Sequence, residues 1–516
     1  MKKWKAWILA AVMLIGGVFG AAGCSDSNEG VLTIRYYSGG LGEQWLVDSL
    51  EDYKAEHEGF AYKLIPDNNI TWQAGMYMRG DDAPDIMMTT GGNWREYVAR
   101  GYLEDLTDVY EADVTTSGGT KKVKDYLTDE AKDMYRMQRL YGQGENVPWA
   151  ISWSVIPASL AYNETLLLQT VHTDSGYKVE NLEVGQTWKE PPATVEALHA
   201  YIADINAANA GKAADERIVP FGWAGDSTNW FDFVLCNWWA QLQGLDEPNL
   251  WENEGAYYDF WNFESAEVYK QTGLQQALGI IQSLIVDTET DSYINSPTDA
   301  SSITSTDMEM SFAEGKIAVA LTGGFFEHEM RDFLDGNKDG EPDYSIKMMP
   351  VPLAEGAQTN EDGSDRKLTY IYLDEVMYIP AKATNKELAK DFLAFLCNEE
   401  QLLNFTKTTG CLRPFRYNPL ELEPDYEWSD FRLSLYDLYF NCDDYVYKYP
   451  RNAQSVSPIY TYIQPGIFEG VDYSTIFQRL RTLTPEQIII SGADGYRSVY
   501  ENVSVSYPRW ELDLGL

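Results

Sequence analysis

Asp374 and Glu375 are adjacent acids inside a β-rich run, LTYIYLDEVMYIP. Paired carboxylates are the machinery of glycosidic-bond cleavage, but neighbours on a strand point to opposite faces, so these two cannot flank one bond. They suit hydroxyl acceptance or hydrogen bonding at a hinge. The run DGNKDGEPD over 335–343 spaces oxygen donors at alternate positions around a glycine, as the start of a calcium loop does. Ile346 stands where a closing glutamate would be. Two readings follow: a structural calcium on Asp335, Asn337, Asp339 and Asp343, or a plain acidic surface turn. No other cofactor is implied. His57, His172, His199 and His328 are scattered, and His328-Glu329 is followed by Met330, Arg331 and Asp332 rather than a second histidine. There is no G-x-S-x-G and no phosphate-binding loop. Binding is favoured over catalysis.

One cysteine has a special setting. Lys2, Lys3 and Lys5 precede an uncharged stretch from Ala6 to Gly23, closed by Ala21-Ala22-Gly23-Cys24, the layout of an export signal. The run resembles a bacterial lipobox, with Ala21 where a leucine is usual. In that reading the Cys24 sulfur takes a diacylglycerol and cleavage in front of it leaves a lipidated N-terminus. An ordinary cleaved signal and an uncleaved anchor are the alternatives. Each buried acyl methylene contributes about 0.8 kcal/mol, so lipidation at Cys24 holds a body at the extracytoplasmic face of the membrane without a spanning helix. The remaining cysteines, Cys236, Cys397, Cys411 and Cys442, show no C-x-x-C pair and no zinc-like spacing. Disulfides and buried free thiols both remain open.

Charge removes one class of partner. The chain carries 80 acidic against 39 basic side chains, a net charge of -41, and three of those lysines lie in the leader. Such a surface repels phosphate backbones, which excludes nucleic acid as a partner. The acids are spread among abundant aromatics, so the body is folded and soluble rather than a disordered acidic tail. At 516 residues it is too long for one small core and suits two large lobes, or one multi-lobed body, in a monomer.

The elements that must position a site alternate between strand and helix. Residues 31–38 (VLTIRYYS) form a β-rich run ending in Gly39-Gly40; residues 42–59 are helical, with Leu46, Leu50 and Tyr53 on one face; Phe60, Tyr62 and Leu64 alternate again. Residues 83–90 (APDIMMTT) read as a buried strand ending in Gly91-Gly92, with a helix turn from Trp94 to Arg100. Strands ending in glycine-rich loops before helices indicate an open, largely parallel sheet whose ligands gather at the strands' carboxyl ends. Tyr36, Tyr37, Thr89, Asn93 and Trp94 occupy such ends. Further on, Thr194 caps a helix bearing Val195, Leu198, Ile202 and Ile205, and Thr384-Asn385-Lys386-Glu387 fits a capping box.

Residues 310–326 (MSFAEGKIAVALTGGFF), 349–353 (MPVPL), 378–395 (YIPAKATNKELAKDFLAF) and 83–86 (APDI) resemble, in order, segments of extracellular solute-binding protein family 1, which includes maltose-binding protein. The resemblance spans about residues 31 to 415. It implies an α/β, two-lobed periplasmic-binding-protein fold of type II, with the ligand in a cleft between lobes that close on it. It also implies delivery to the permease subunits of an ABC importer. By the family's connectivity, residues 31–150 and 316–375 form lobe 1 and residues 151–315 and 376–516 lobe 2, with crossings near residues 149–155 and 374–379.

Sugar binding has its own chemical logic. A pyranose offers apolar C–H faces and a rim of hydroxyls, so it needs flat aromatic platforms beside groups that pair with hydroxyls. By the family's pattern Phe325 is a cleft aromatic, the segment from Thr89 to Trp94 makes lobe-1 contacts, and Trp223, Asp226 and Trp230 occupy a stacking loop. Tyr37, Trp153, Asp374, Glu375 and Arg413 complete the candidate set. With 16 tryptophans in the chain, Trp238 and Trp239 go to core packing. The expected ligand is a sugar or short oligosaccharide. A secreted carbohydrate-active enzyme and a binder of peptides or a metal complex are the rival readings.

Overall fold

The computed structural model describes residues 30–91, 94–140, 143–245, 254–262, 270–290, 292–295, 301–338, 340, 342–373, 375–447 and 479–488. Cys24, Asn93, Asp339 and Asp374 lie outside the described residues. Among the described residues no helix is long and apolar enough to cross a membrane.

The chain opens with β1 (Val31–Tyr36), α1 (Gln44–Glu56), β2 (Ala61–Pro66), α2 (Ile70–Tyr77) and β3 (Ile86–Thr90). It continues through β4 (Ile151–Ser152), β5 (Ile156–Asn163), α3 (Val195–Ala208), β6 (Val219–Gly222), α4 (Asp232–Gln243), α5 (Thr272–Ile285), α6 (Ser305–Ala313) and β7 (Ile317–Gly323). There follow α7 (Phe326–Leu334), β8 (Ile346–Met349), β9 (Leu368–Tyr372), β10 (Glu375–Tyr378), α8 (Lys386–Phe395), α9 (Glu399–Thr409), α10 (Asp430–Phe440) and β11 (Asp444–Tyr447).

Two sheets organise these elements. The first has the order β2-β1-β3-β10-β4, with β1 parallel to β2 and β3, and β10 antiparallel to β3. The second runs β6-β7-β5-β9-β11, with β8 also paired to β5. Alternating Leu32, Ile34 and Tyr36 pack β1 into the first core, while Leu46, Leu50 and Tyr53 of α1 cover it at helical spacing. In the second sheet every residue of β5 and of β7 is buried, as expected of central strands covered on both faces.

Asp85 shows how a short motif stitches the first lobe. Its carboxylate accepts from the backbone N–H groups of Thr33 and Asn385, 2.8 and 2.7 Å away, joining β1, the entry to β3 and the start of α8. The helix starts one residue later than the capping box over Thr384-Asn385-Lys386-Glu387 would set it, with Asn385 at the N-cap position and no side-chain cap there. Asn385 uses its side chain on the backbone of Gly30 and Val31 and on Asp85 instead. Thr194 does cap α3, accepting from Ala197 N at 3.1 Å.

Strand pairing overturns the expected division of the chain after residue 315. β7 is hydrogen-bonded to β5 and β6, and β8 and β9 to β5, so residues 317–372 belong to the second sheet. β10 joins the first sheet, and α9, which follows α8, packs beside α1. Lobe 1 therefore holds residues 30–152 and 375 to about 415, and lobe 2 most of the rest. The apolar run of β7 suits any buried strand position; only its register with β5 decides the sheet. The chain passes from one sheet to the other between β4 and β5 and again between β9 and β10. A third crossing runs between Phe415, bridged to Leu127, and α10, which packs on β8.

Candidate functional site

The carboxyl ends of β1 and β7 and the start of β10 bring lobe-1, lobe-2 and crossing residues together. Tyr37 leaves β1 half-buried, its backbone N–H donating to Met88 O. Its ring lies over Gly39, where a Cβ would come within 2.4 Å of the Tyr37 hydroxyl, so a larger residue there would displace the ring. Burial raises the Tyr37 hydroxyl above its ordinary range, and the carboxylates of Glu329 and Glu375 push it further in the same direction. One phenol thus senses an acid from α7 of lobe 2 and an acid at the crossing.

Glu375 is buried at the junction of two crossings. Its carboxylate accepts from Ser154 Oγ at 2.8 Å, and its carbonyl accepts from Trp153 N and Ser152 Oγ. These bonds tie the start of β10 to the segment that leaves β4; Asp374 is outside the described residues.

Phe325 caps α7 after β7 ends at Gly323, and remains partly exposed. Its ring meets Trp230 edge-on with centroids 5.5 Å apart, and Trp230 in turn leans on Phe233 at 5.6 Å. Phe325 and Trp230 both pack, partly buried, against the two large apolar clusters of the molecule, the first of which draws side chains from both lobes. Glu329 was not among the expected site residues. It lies one turn after Phe325, its N–H bonding Phe325 O, so both share one helix face. That spacing was the available signal. Burial raises the Glu329 carboxyl. Beneath it, Glu309 of α6 is fully buried, accepts from Thr322 Oγ1 at 2.5 Å, and is raised well above the carboxylate range by burial and then by Glu329.

Other expected contacts go elsewhere. Thr89 is fully buried and donates to Gly91 O at 2.9 Å, shaping the turn. Trp94 is buried edge-on against Tyr135. Trp153 is buried in lobe 1, stacked on Trp45 at 5.7 Å with its edge on Phe405. Trp223 has no exposed surface and packs on Phe231 in lobe 2. Asp226 is exposed, and among the described residues no contact ties it to the aromatic pair. Arg413 is 1 % exposed, donates to Leu396 O and lies 5.4 Å from the Phe415 ring; burial lowers its proton affinity. It is a core arginine. Trp238 and Trp239 are core, with indole N–H groups on Pro352 O and Gln271 Oε1.

In the acidic loop, Asp343 accepts from Gly336 N and the Asn337 amide, and Asp335 accepts from Gly340 N. These side chains brace the turn from within. Among the described residues no group of three or more His, Cys, Asp or Glu is arranged to hold a metal ion. Cys236, Cys397, Cys411 and Cys442 are free thiols.

α7 of lobe 2 meets lobe 1 directly. His328 Nδ1 lies 3.1 Å from Thr408 O of α9, which makes that nitrogen the protonated one, and burial lowers the ring's proton affinity. Arg432 of α10 pairs with Glu327 and donates to Lys407 O at 2.9 Å. Cationic and N–H donors from lobe 2 thus cap the last carbonyls of a lobe-1 helix.

The family profile of bacterial extracellular solute-binding proteins matches residues 49–428. Among solved structures, a protein from work on xylan utilization by Caldanaerobius polysaccharolyticus superposes with a TM-score of 0.61 at 14% identity, covering 90% of this chain and 99% of its own. A chitin oligosaccharide binding protein gives 0.59 at 14%, covering 92% and 100%. A sugar transporter from Bacillus licheniformis in complex with stachyose gives 0.53 at 15%, covering 90% and 98%. At such identities the likeness carries the two-lobed fold alone. Among curated protein sequences none matches.

Proposed function

The chain belongs to the bacterial extracellular solute-binding proteins, and from that premise we propose that its solute is a sugar or short oligosaccharide, delivered to the permease of an ABC importer. The carrying observation is the half-buried pair of Trp230 and Phe325, with Glu329 one turn after Phe325 and the Tyr37 hydroxyl within electrostatic reach of Glu329 and Glu375. Flat rings offer C–H faces a platform, and carboxylates accept hydroxyl hydrogens. The sugars named for structures of the same fold point the same way: chitin oligosaccharide and stachyose.

Tyr37 comes from lobe 1, Phe325 and Glu329 from lobe 2, and Glu375 from the crossing. A ligand touching all of them gains its contacts only when the lobes meet, so binding shifts the population toward the closed form. Closure is what a permease would read. The role is binding rather than bond cleavage, in keeping with the family and with Glu375 held by Ser154 at the hinge. Acylation at Cys24 is the proposed tether to the membrane, which the layout of residues 2–24 supports.

A thermal-shift screen of mono- and oligosaccharides against peptides tests the reading, since a ligand stabilises by RT ln(1 + [L]/Kd). A saccharide is expected to raise Tm. Shifts with peptides alone would overturn the ligand class, and release of reducing sugar at enzyme-like rates would overturn the binding role.

A further inference from the structure

Trp72 is 89 % exposed, more than any other large apolar side chain among the described residues. An indole left in water is unusual, because this side chain is normally well buried. It stands on α2 (ITWQAGMY), which carries no charged residue in a chain of net charge -41. Ile70 and Ala74 hold the helix to the core, while Trp72 and Met76, one turn apart, face outward.

The position of α2 ties this tryptophan to the cleft. β2 lies beside β1 in register, Tyr36 opposite Pro66, so α2 begins at the same sheet end from which Tyr37 emerges. Asp67 N donates to Tyr36 O at 2.9 Å, and Ser38 Oγ meets Asn68 Oδ1 at 2.8 Å. Within the first turn, Thr71 Oγ1 donates to Thr90 O at 2.9 Å, at the end of β3. The two loops that open lobe 1 toward the cleft are therefore fastened to Asp67 and Asn68, just before α2, and to Thr71, the neighbour of Trp72.

We infer that Trp72 is a rim platform on which the distal units of an oligosaccharide stack, outside the units held by Tyr37, Trp230 and Phe325. The inference rests on the carbohydrate reading above and deepens it: the ligand is an oligosaccharide that extends across the lip of lobe 1, not a free monosaccharide. The occupant is a sugar rather than the permease because the first turn that bears Trp72 starts at the sheet end from which Tyr37 emerges, with Thr71 bonded to the end of β3.

The test is titration calorimetry with ladders of xylo-, malto- and cello-oligosaccharides, from monomer to hexamer, on the full chain and on Trp72→Ala and Trp72→Phe. With so exposed a side chain, neither variant alters folding, and circular dichroism verifies this. The Ala variant is expected to match wild type for the shortest bound member and to lose about tenfold in affinity for the longer ones, with Phe recovering part of the loss. Equal affinities for wild type and Trp72→Ala at every length would overturn the platform, even if the variant stimulated the permease less. A loss equal at every length would overturn the distal placement. Binding of no saccharide by wild type would instead overturn the carbohydrate reading itself.

Discussion

Two aromatic pairs have nearly the same spacing and opposite employment. Trp45 and Trp153 stack at 5.7 Å with planes 15° apart, both buried under lobe 1. Trp230 and Phe325 meet at 5.5 Å with planes 60° apart, and both keep exposed surface. Ring spacing does not separate a core pair from a platform; what lies on the free face does. Trp45 and Trp153 have Phe405 edge-on against them. Near Phe325 are Glu329 one turn away and, through Glu329, Tyr37.

The contrast is sharpest under substitution. Trp153→Ala should cost about 3–5 kcal/mol of stability through the cavity it leaves. Denaturant melts check this, and ligand affinity of the folded fraction should be nearly unchanged. Trp230→Ala should do the reverse, lowering saccharide affinity roughly 10- to 100-fold, about 1.4–2.7 kcal/mol, with a smaller loss of stability. Calorimetry paired with melts separates the two, and equal behaviour of both variants would erase the distinction. Glu329→Gln keeps the size and one acceptor but removes the charge, and should weaken saccharide binding by about 1 kcal/mol.

The smallest effect concerns the acid below the pair. Burial raises Glu309 above its unfolded value, so the folded state holds the proton more tightly. Its contribution is fully present below the ordinary carboxylate range and is lost as pH rises through the raised value. Glu309→Gln, neutral at every pH, should therefore match wild type near pH 4 and exceed it at pH 8 by on the order of 1 kcal/mol. Thermal unfolding at the two pH values reads the difference; an advantage that does not grow with pH would mean Glu309 is ionised in the fold.

Much of lobe 1 was legible because its signals are local. Leu46, Leu50 and Tyr53 repeat at helical spacing, β1 alternates, and glycines close β1 and β3 where the ligand side begins. Phe325 was legible for the same reason, standing just past the glycines that end β7. Trp223 and Trp230 looked alike in sequence, seven positions apart beside glycine and acid, yet one is wholly buried and the other is not. Arg413 read as a hydroxyl donor and proved to be a buried partner of Leu396 O. Glu329 went unnoticed because a lone acid on a helix ordinarily faces water.

The sequence by itself determined the alternation of strand and helix, the surface charge and the presence of aromatic and acidic groups able to meet a sugar, since these depend on composition and on periodicities of a few residues. Tertiary structure alone decided that β7, β8 and β9 join β5 rather than β3, because a buried apolar strand accepts many partners and only long-range register chooses one. It also decided which rings stay exposed. Burial is set by what packs on a side chain from distant segments, as Phe405 does on Trp153, whereas Trp72 stays 89 % exposed.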